Sequence, residues 1–194
     1  MPTWSSRPRR AEAAEFDAVL TAARAGAEWA LAWLYRDLQP WLLRYFQAQE
    51  PTEADDLASQ VWLDVAHALD RFEGDEDAFR RWFFTIARRR LLDLRRRATR
   101  RRTDAVRPED FETLVEPAGT EDAAFAAMST QAALACVATL PAREREVVLL
   151  RVLGGLSAEA VAAITGLRPG TVRVLQHRGL RRLADLLTRM LVTL

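Results

Sequence analysis

Lysine is missing altogether: all 28 basic residues among the 194 are arginine. Genome base composition accounts for that simply, although a demand for bidentate phosphate contacts would produce the same alphabet. Cysteine is nearly missing too. The lone Cys136 excludes an internal disulfide, and His67 and His177 lie far apart, so no metal-ligand spacing occurs. Neither a metal nor any other cofactor is expected. There is no apolar run of about 18 residues, and Met1 to Arg10 lacks the apolar block of a secretory signal. Membrane insertion and export are therefore not expected, and a cytoplasmic location is. Clustered nucleophiles, bases or metal ligands of the kind a hydrolase or transferase requires are also absent, so the chain does not read as an enzyme.

What is present is 49% hydrophobic and 28% charged residues, enough for one modest domain or two small ones. The net charge of +1 conceals a strong unevenness. Residues 80–102 hold eleven arginines against the single acid Asp93, whereas residues 104–126 hold seven acids against the single base Arg107. From residue 127 onward, nine arginines face four acids. Two basic modules thus flank an acidic connector.

Period-2 alternation is nowhere sustained, while apolar residues recur at three and four spacing, so an all-α fold is expected. Leu20, Ala23, Ala27, Ala30, Leu31, Leu34 and Leu38 form one stripe, with Pro40 expected to break or kink it before Trp41 to Gln49 carries on. Thr52 and Asp55 resemble a capping box, after which Leu57, Val61, Val65 and Leu69 share one face and Asp56, Gln60 and Asp64 a polar one. Glu73 to Asp77 reads as a surface loop and Ala78 to about Arg102 as a long helix. Pro108, Pro117 and Gly119 mark residues 103–122 as a linker, with at most a helical turn around Glu109 to Leu114. Helical pattern resumes near Ala123, breaks at Pro141, and stops at Gly154-Gly155.

Beyond that point Ser157 is a good N-cap, Ala158 to Ile164 makes two helical turns, and Gly166 suits a left-handed turn. Pro169 fits the first turn of a further helix, with Val172, Leu175, Leu180, Leu183 and Leu187 as its buried stripe. Arg168, Thr171, Arg173, Gln176, His177 and Arg178 are left for its outer face. This is the layout of a helix-turn-helix, whose recognition helix enters the DNA major groove, and equally of a plain helical hairpin with a basic face. In the long helix, Phe79, Phe83, Ile86, Ala87, Leu91 and Leu94 form a core stripe. Its opposite side carries Arg88, Arg89, Arg95 and Arg96, a density that attracts a nucleic-acid backbone. Trp82 and Phe84 are better suited to packing than to stacking on a base.

Together these residues resemble the sigma-70 family of RNA polymerase sigma factors, in its extracytoplasmic-function (ECF) group. The likeness covers about residues 16–102 and 123–190. Ala54-Asp55-Asp56-Leu57-Ala58-Ser59-Gln60-Val61-Trp62 is similar to the family's core-binding helix, and Leu69-Asp70-Arg71-Phe72 to the segment leading into its loop. Phe79 to Phe83 and Ile86-Ala87-Arg88 with Asp93 resemble its promoter-melting helix. Leu140 to Arg151, Gly155-Leu156-Ser157 and Gly170-Thr171-Val172-Arg173 resemble the fourth region. Two departures stand out: Arg89 occupies a position that often carries an amide, and Ser59-Gln60 replaces a usual Gln-acid pair.

The resemblance implies two small helical domains, region 2 over 11–102 and region 4 over 123–194, joined by a flexible acidic linker over 103–122. It implies partners as well: the β′ clamp helices and β flap of core RNA polymerase, promoter DNA, and an anti-sigma factor. By the same resemblance Asp55, Asp56, Gln60 and Asp64 would meet polymerase. Asp75, Arg80, Trp82, Arg88, Arg89, Arg95 and Arg96 would meet the minus-ten element. Arg168, Thr171, Arg173, Gln176, His177 and Arg178 would meet the minus-thirty-five element. An extended linker, at about 3.3 Å per residue, reaches roughly 65 Å, enough for sites one and a half duplex turns apart at about 35 Å per turn. That acidic tether suits either the polymerase's basic RNA channel or bulk solvent. The competing expectation is a stand-alone helix-turn-helix regulator with a sensory amino-terminal domain.

Overall fold

A computed structural model describes residues 9–104 and 121–192, with side chains over 15–100 and 130–189. Most of the linker, its expected turn at Glu109 to Leu114 and the apolar end from Met190 lie outside the described side chains. Among the described residues every regular element is helical. Helices α1 (Arg9–Arg24), α2 (Glu28–Gln47), α3 (Ala54–Ala68) and α4 (Glu76–Asp104) form the first module; α5 (Glu121–Ala138), α6 (Ala142–Val152), α7 (Ala158–Thr165) and α8 (Pro169–Val192) form the second.

The chain breaks between α1 and α2, and Pro40 sits inside α2. Gly26 takes a left-handed φ of 81°, and Ala27 is extended, its carbonyl accepting from the Ala30 and Leu31 amides. Pro40 is exposed, as is Arg36, whose carbonyl loses its helical donor, so water can replace that bond. The expected stripe consequently spans two helices, and Leu31 turns outward at 39% exposure. The expected capping box is also absent. Pro51 opens a short 3-10 turn, Pro51–Glu53, which takes Thr52 away from the start of α3, and no side chain caps that helix.

The core of the first module is built around α4. Phe79, Phe83, Phe84, Ala87 and Leu91 are fully buried against Leu34, Leu38, Leu42, Tyr45 and Phe46 of α2 and Val61 and Val65 of α3. Burying a large apolar side chain contributes roughly 1.5–3 kcal/mol, so these positions fix where α4 lies. Aromatic rings run through that core in near-continuous contact: Phe72 to Phe79 at 5.3 Å, Trp62 to Phe83 at 5.2 Å, Tyr45 to Phe84 at 5.8 Å.

In the second module Ser157 caps α7 by accepting from the Ala160 amide at 3.0 Å, and Gly166 closes it at φ 73°. Pro169 opens α8. The buried stripe of α8 differs from the expected one: Leu180 and Leu187 are 42% and 51% exposed, and Gly179 is buried instead. Gly179 is where α8 crosses α6, and a Cβ placed there would lie 2.7 Å from Val148 Cγ2. The two arms of the crossing are tied by Arg182 and the buried Glu144, 3.1 Å apart. Gly179→Ala should therefore lower stability by about 1–3 kcal/mol through overpacking, read as an earlier midpoint in urea unfolding.

Candidate nucleic-acid interface

The amino-terminal half of α8 emerges from the left-handed turn with Arg168, Thr171, Arg173, His177 and Arg178 all exposed. α7 braces it from behind through the buried Val161, Ile164 and Val172. Arg173 is held by Glu159 of α7 at 2.5 Å, with both side chains 62% exposed. The Glu159 carboxyl is held below its usual range, first by its own backbone amide and then by the Arg173 guanidinium. Gln176 has a different place: its Oε1 accepts from Arg151 Nε at 2.8 Å. Arg151 also donates to the Leu156 carbonyl, so this side chain ties α6 to both the turn before α7 and α8. Gln176 thus fixes the angle of α8 as well as bordering its outer face.

On α4 the arginines fall into three groups. Arg80 is buried at 5% exposure and ion-paired to Glu76 at 2.8 Å and Asp37 at 3.3 Å, so the expectation that it meets DNA does not fit its position. It holds α4 to α2. Arg88 and Arg95 are half-buried and paired across elements, to Glu146 at 2.8 Å and Glu50 at 2.7 Å. Arg89 and Arg96 reach solvent with side chains 80% and 67% exposed, sharing Asp93. Trp82 lies against Phe72 at 5.0 Å and Phe79 at 5.5 Å, and Phe84 is wholly internal. Asp75 caps α4, its carboxylate accepting from the Ala78 amide at 2.9 Å, and remains exposed beside Glu73.

The polar face of α3 is brought together as the spacing implied. Asp55 and Asp56 are exposed, and Asp56 and Gln60 line a shallow groove with Arg90, Asp93 and Arg97 of α4. Asp64 is engaged internally, accepting from Arg90 Nε at 2.6 Å and from its second nitrogen. That bond also holds the Arg90 guanidinium more firmly in its charged form. Sequence reading missed Leu63, which is 60% exposed on this face. Its position three residues after Gln60 and seven after Asp56 was a helical signal available to find it. The acids Asp37, Glu50, Glu146 and Glu159 were missed too, because their arginine partners lie in other elements.

Residues 34–101 match the family model for sigma-70 region 2, and residues 130–183 match that for sigma-70 region 4. The chain belongs to the ECF group of sigma-70 factors. The ECF RNA polymerase sigma factor SigD of Mycobacterium tuberculosis is 38% identical over 179 residues, spanning 87% of this chain and 82% of SigD. ShbA of Streptomyces griseus, another ECF sigma factor, is 35% identical over 162 residues, 79% of this chain and 85% of ShbA. Among solved structures, the sigma factor RpoE of Bartonella quintana, crystallised with the anti-sigma factor NepR, superposes with a TM-score of 0.59 at 26% identity, covering 80% of this chain and 96% of RpoE. CnrH, crystallised with the cytosolic domain of CnrY, shares the fold at TM-score 0.58 and 24% identity, covering 88% of this chain and 96% of CnrH. As an ECF sigma factor, this protein binds core RNA polymerase and directs promoter recognition and melting. No helix among the described residues is long and apolar enough to cross a membrane.

Two stability measurements test the framework roles of these side chains in this sigma factor. Arg80→Ala should cost about 3 kcal/mol by removing the buried cation that Asp37 and Glu76 share, seen in denaturant unfolding. Arg151→Ala and Gln176→Ala should each cost about 1 kcal/mol and be strongly non-additive in a double-mutant cycle.

Proposed function

We propose that the two modules divide the promoter between them, residues 11–102 serving the minus-ten element and residues 123–194 the minus-thirty-five element, with 103–122 as the tether. The observation that carries this is the row of exposed polar and cationic side chains at the start of α8, braced by α7 across a left-handed turn. In the major groove Arg168, Arg173 and Arg178 are suited to guanine edges or phosphates, with Thr171 and His177 alongside. Arg173 would exchange Glu159 for DNA, a low-cost step because both groups are solvated. Gln176 acts chiefly by orienting α8.

In the first module, the solvent-facing Arg89 and Arg96, and Arg88 and Arg95 on release from their acids, are suited to the phosphates of the displaced strand. Asp75, just before α4, and Trp82, in its second turn, border the place where an unpaired base would be received. Asp55, Asp56, Gln60 and Leu63 form the surface offered to the β′ clamp helices, with Asp64 and Arg90 setting its register. The second module would rest on the β flap. Melting in this scheme draws on binding energy alone, so the factor is not an enzyme. RpoE was crystallised with an anti-sigma factor, and an anti-sigma partner is proposed for this chain as well. A stand-alone regulator is not favoured, since both family modules are present in order.

Run-off transcription with purified core polymerase on a fragment library tests the scheme. The wild-type chain should create new start sites, and Arg173→Ala should weaken upstream-element use about tenfold or more while polymerase binding is retained. Loss of polymerase binding in that variant would overturn the division of labour.

A further inference from the structure

One acid stands among the cations of the second module's outer face. From Ser157 to Ala184 the sequence holds five arginines, and Glu159 is the only acid. It lies in the first turn of α7. Its Oε1 accepts from Arg173 Nη2 at 2.5 Å, a partner fourteen residues away. Both side chains are 62% exposed, so the pair is solvated and adds little to folding. The Glu159 carboxyl is held below its usual range, first by its own backbone amide, so it remains an anion wherever duplex DNA is bound. Arg151, whose charge also reaches Glu159, is tied instead to Gln176 and to the Leu156 carbonyl. Arg173 is therefore the cation whose availability Glu159 sets.

An anion on a DNA-binding face is repelled by every phosphate, whatever the sequence. What differs between sequences is what Arg173 can gain by leaving it. A guanine edge accepts two parallel hydrogen bonds, at O6 and N7, and so rewards departure according to base identity. A phosphate stands at every step of the duplex and carries no sequence information. On DNA without a guanine in reach, Arg173 stays paired with Glu159, and the neutral pair releases no counterion. Where a guanine is in reach, the bidentate contact displaces the carboxylate. Discrimination then comes from weakening the wrong complexes.

We infer that Glu159 is a specificity-determining residue of the minus-thirty-five contact, withholding Arg173 from phosphates and releasing it to guanine. The inference rests on the promoter reading above, which places Arg173 in the major groove. It assigns Glu159 a role in selectivity that its small share in folding leaves open to direct test.

Glu159→Gln removes the charge and keeps the shape. Holoenzyme assembled from core polymerase and the full chain is titrated, cold enough to prevent melting, against two duplexes at several salt concentrations. One is a promoter fragment recovered by run-off transcription, the other a fragment that yields no transcript. On the second, the variant should bind about fivefold more tightly at about 0.15 M salt, and the slope of log affinity against log salt should steepen by about 0.9, as one added phosphate contact requires. On the promoter the slope should hold, so the ratio of the two affinities should fall. Asp185→Asn makes the same charge change at an exposed position further along α8 and should leave that ratio unchanged. In an Arg173→Ala background, Glu159→Gln should no longer steepen the slope. The inference is overturned by an unchanged ratio, by equal tightening on both fragments, or by the same steepening without Arg173. An unchanged ratio with an earlier urea midpoint would reduce Glu159 to an acid that serves the dipole of α7. Failure of the promoter reading looks different: Arg173→Ala would leave upstream-element use intact, or the wild-type chain would redirect no start sites, and the role of Glu159 would fall with it.

Discussion

One helix must satisfy two opposing demands, and the rest of the protein is arranged around that. α4 carries a fully buried stripe of Phe79, Phe83, Phe84, Ala87 and Leu91, and interleaved with it a run of arginines that cannot be buried unpaired. The stripe dominates because each large apolar side chain contributes roughly 1.5–3 kcal/mol, whereas a buried ion pair largely offsets its own desolvation and is costly chiefly when one partner is removed. The hydrophobic face therefore chooses the position of α4, and the ion pairs set its register. Each acid comes from a different place: Asp37 from α2, Glu50 from the turn after α2, Asp64 from α3 and Glu146 from α6.

That arrangement grades the arginines by availability. Arg80 and Arg90 hold α2 and α3 against α4 and belong to the framework. Arg89 and Arg96 share Asp93 and are largely exposed to solvent. Arg88 and Arg95 lie between these extremes, half-buried and held by Glu146 and Glu50. Under the promoter reading proposed above, a nucleic acid approaching this face would meet cations whose present partners compete with it, which would couple binding to rearrangement. The second module follows the same pattern at smaller scale, where Glu159 holds Arg173 and Arg151 holds Gln176.

Much of the architecture was legible from local chemistry. The Ser157 cap, the left-handed Gly166 and the Pro169 start all depend on neighbouring residues, and all stand as the residue types require. Leu57, Val61 and Val65 of α3, and Leu69 in the 3-10 turn directly after it, are buried as their spacing implied. Where reading failed, a competing local effect or a distant contact intervened. Gly26 broke the first stripe before Pro40 could, because a left-handed residue turns the chain whereas an exposed proline costs only a solvated carbonyl. Pro51 began a turn that displaced the expected cap. Leu180 and Leu187 gave way to Gly179, because the closeness of α6 favours the residue with no side chain.

The sequence by itself determined the helical class, the order of two cationic modules around an acidic connector, and the motifs that identify a sigma factor, because periodicity, capping and charge runs are properties of neighbouring residues. Which arginines are framework and which are available was decided only by tertiary structure. Arg80 and Arg89 are indistinguishable as letters in a basic run; one meets Asp37 forty-three residues away, and the other pairs with Asp93 of its own helix at 4.0 Å with its side chain 80% exposed. Pairing at such separations depends on how the helices cross, and so does the meeting of Arg88 with Glu146, fifty-eight residues apart, that brings the two modules together.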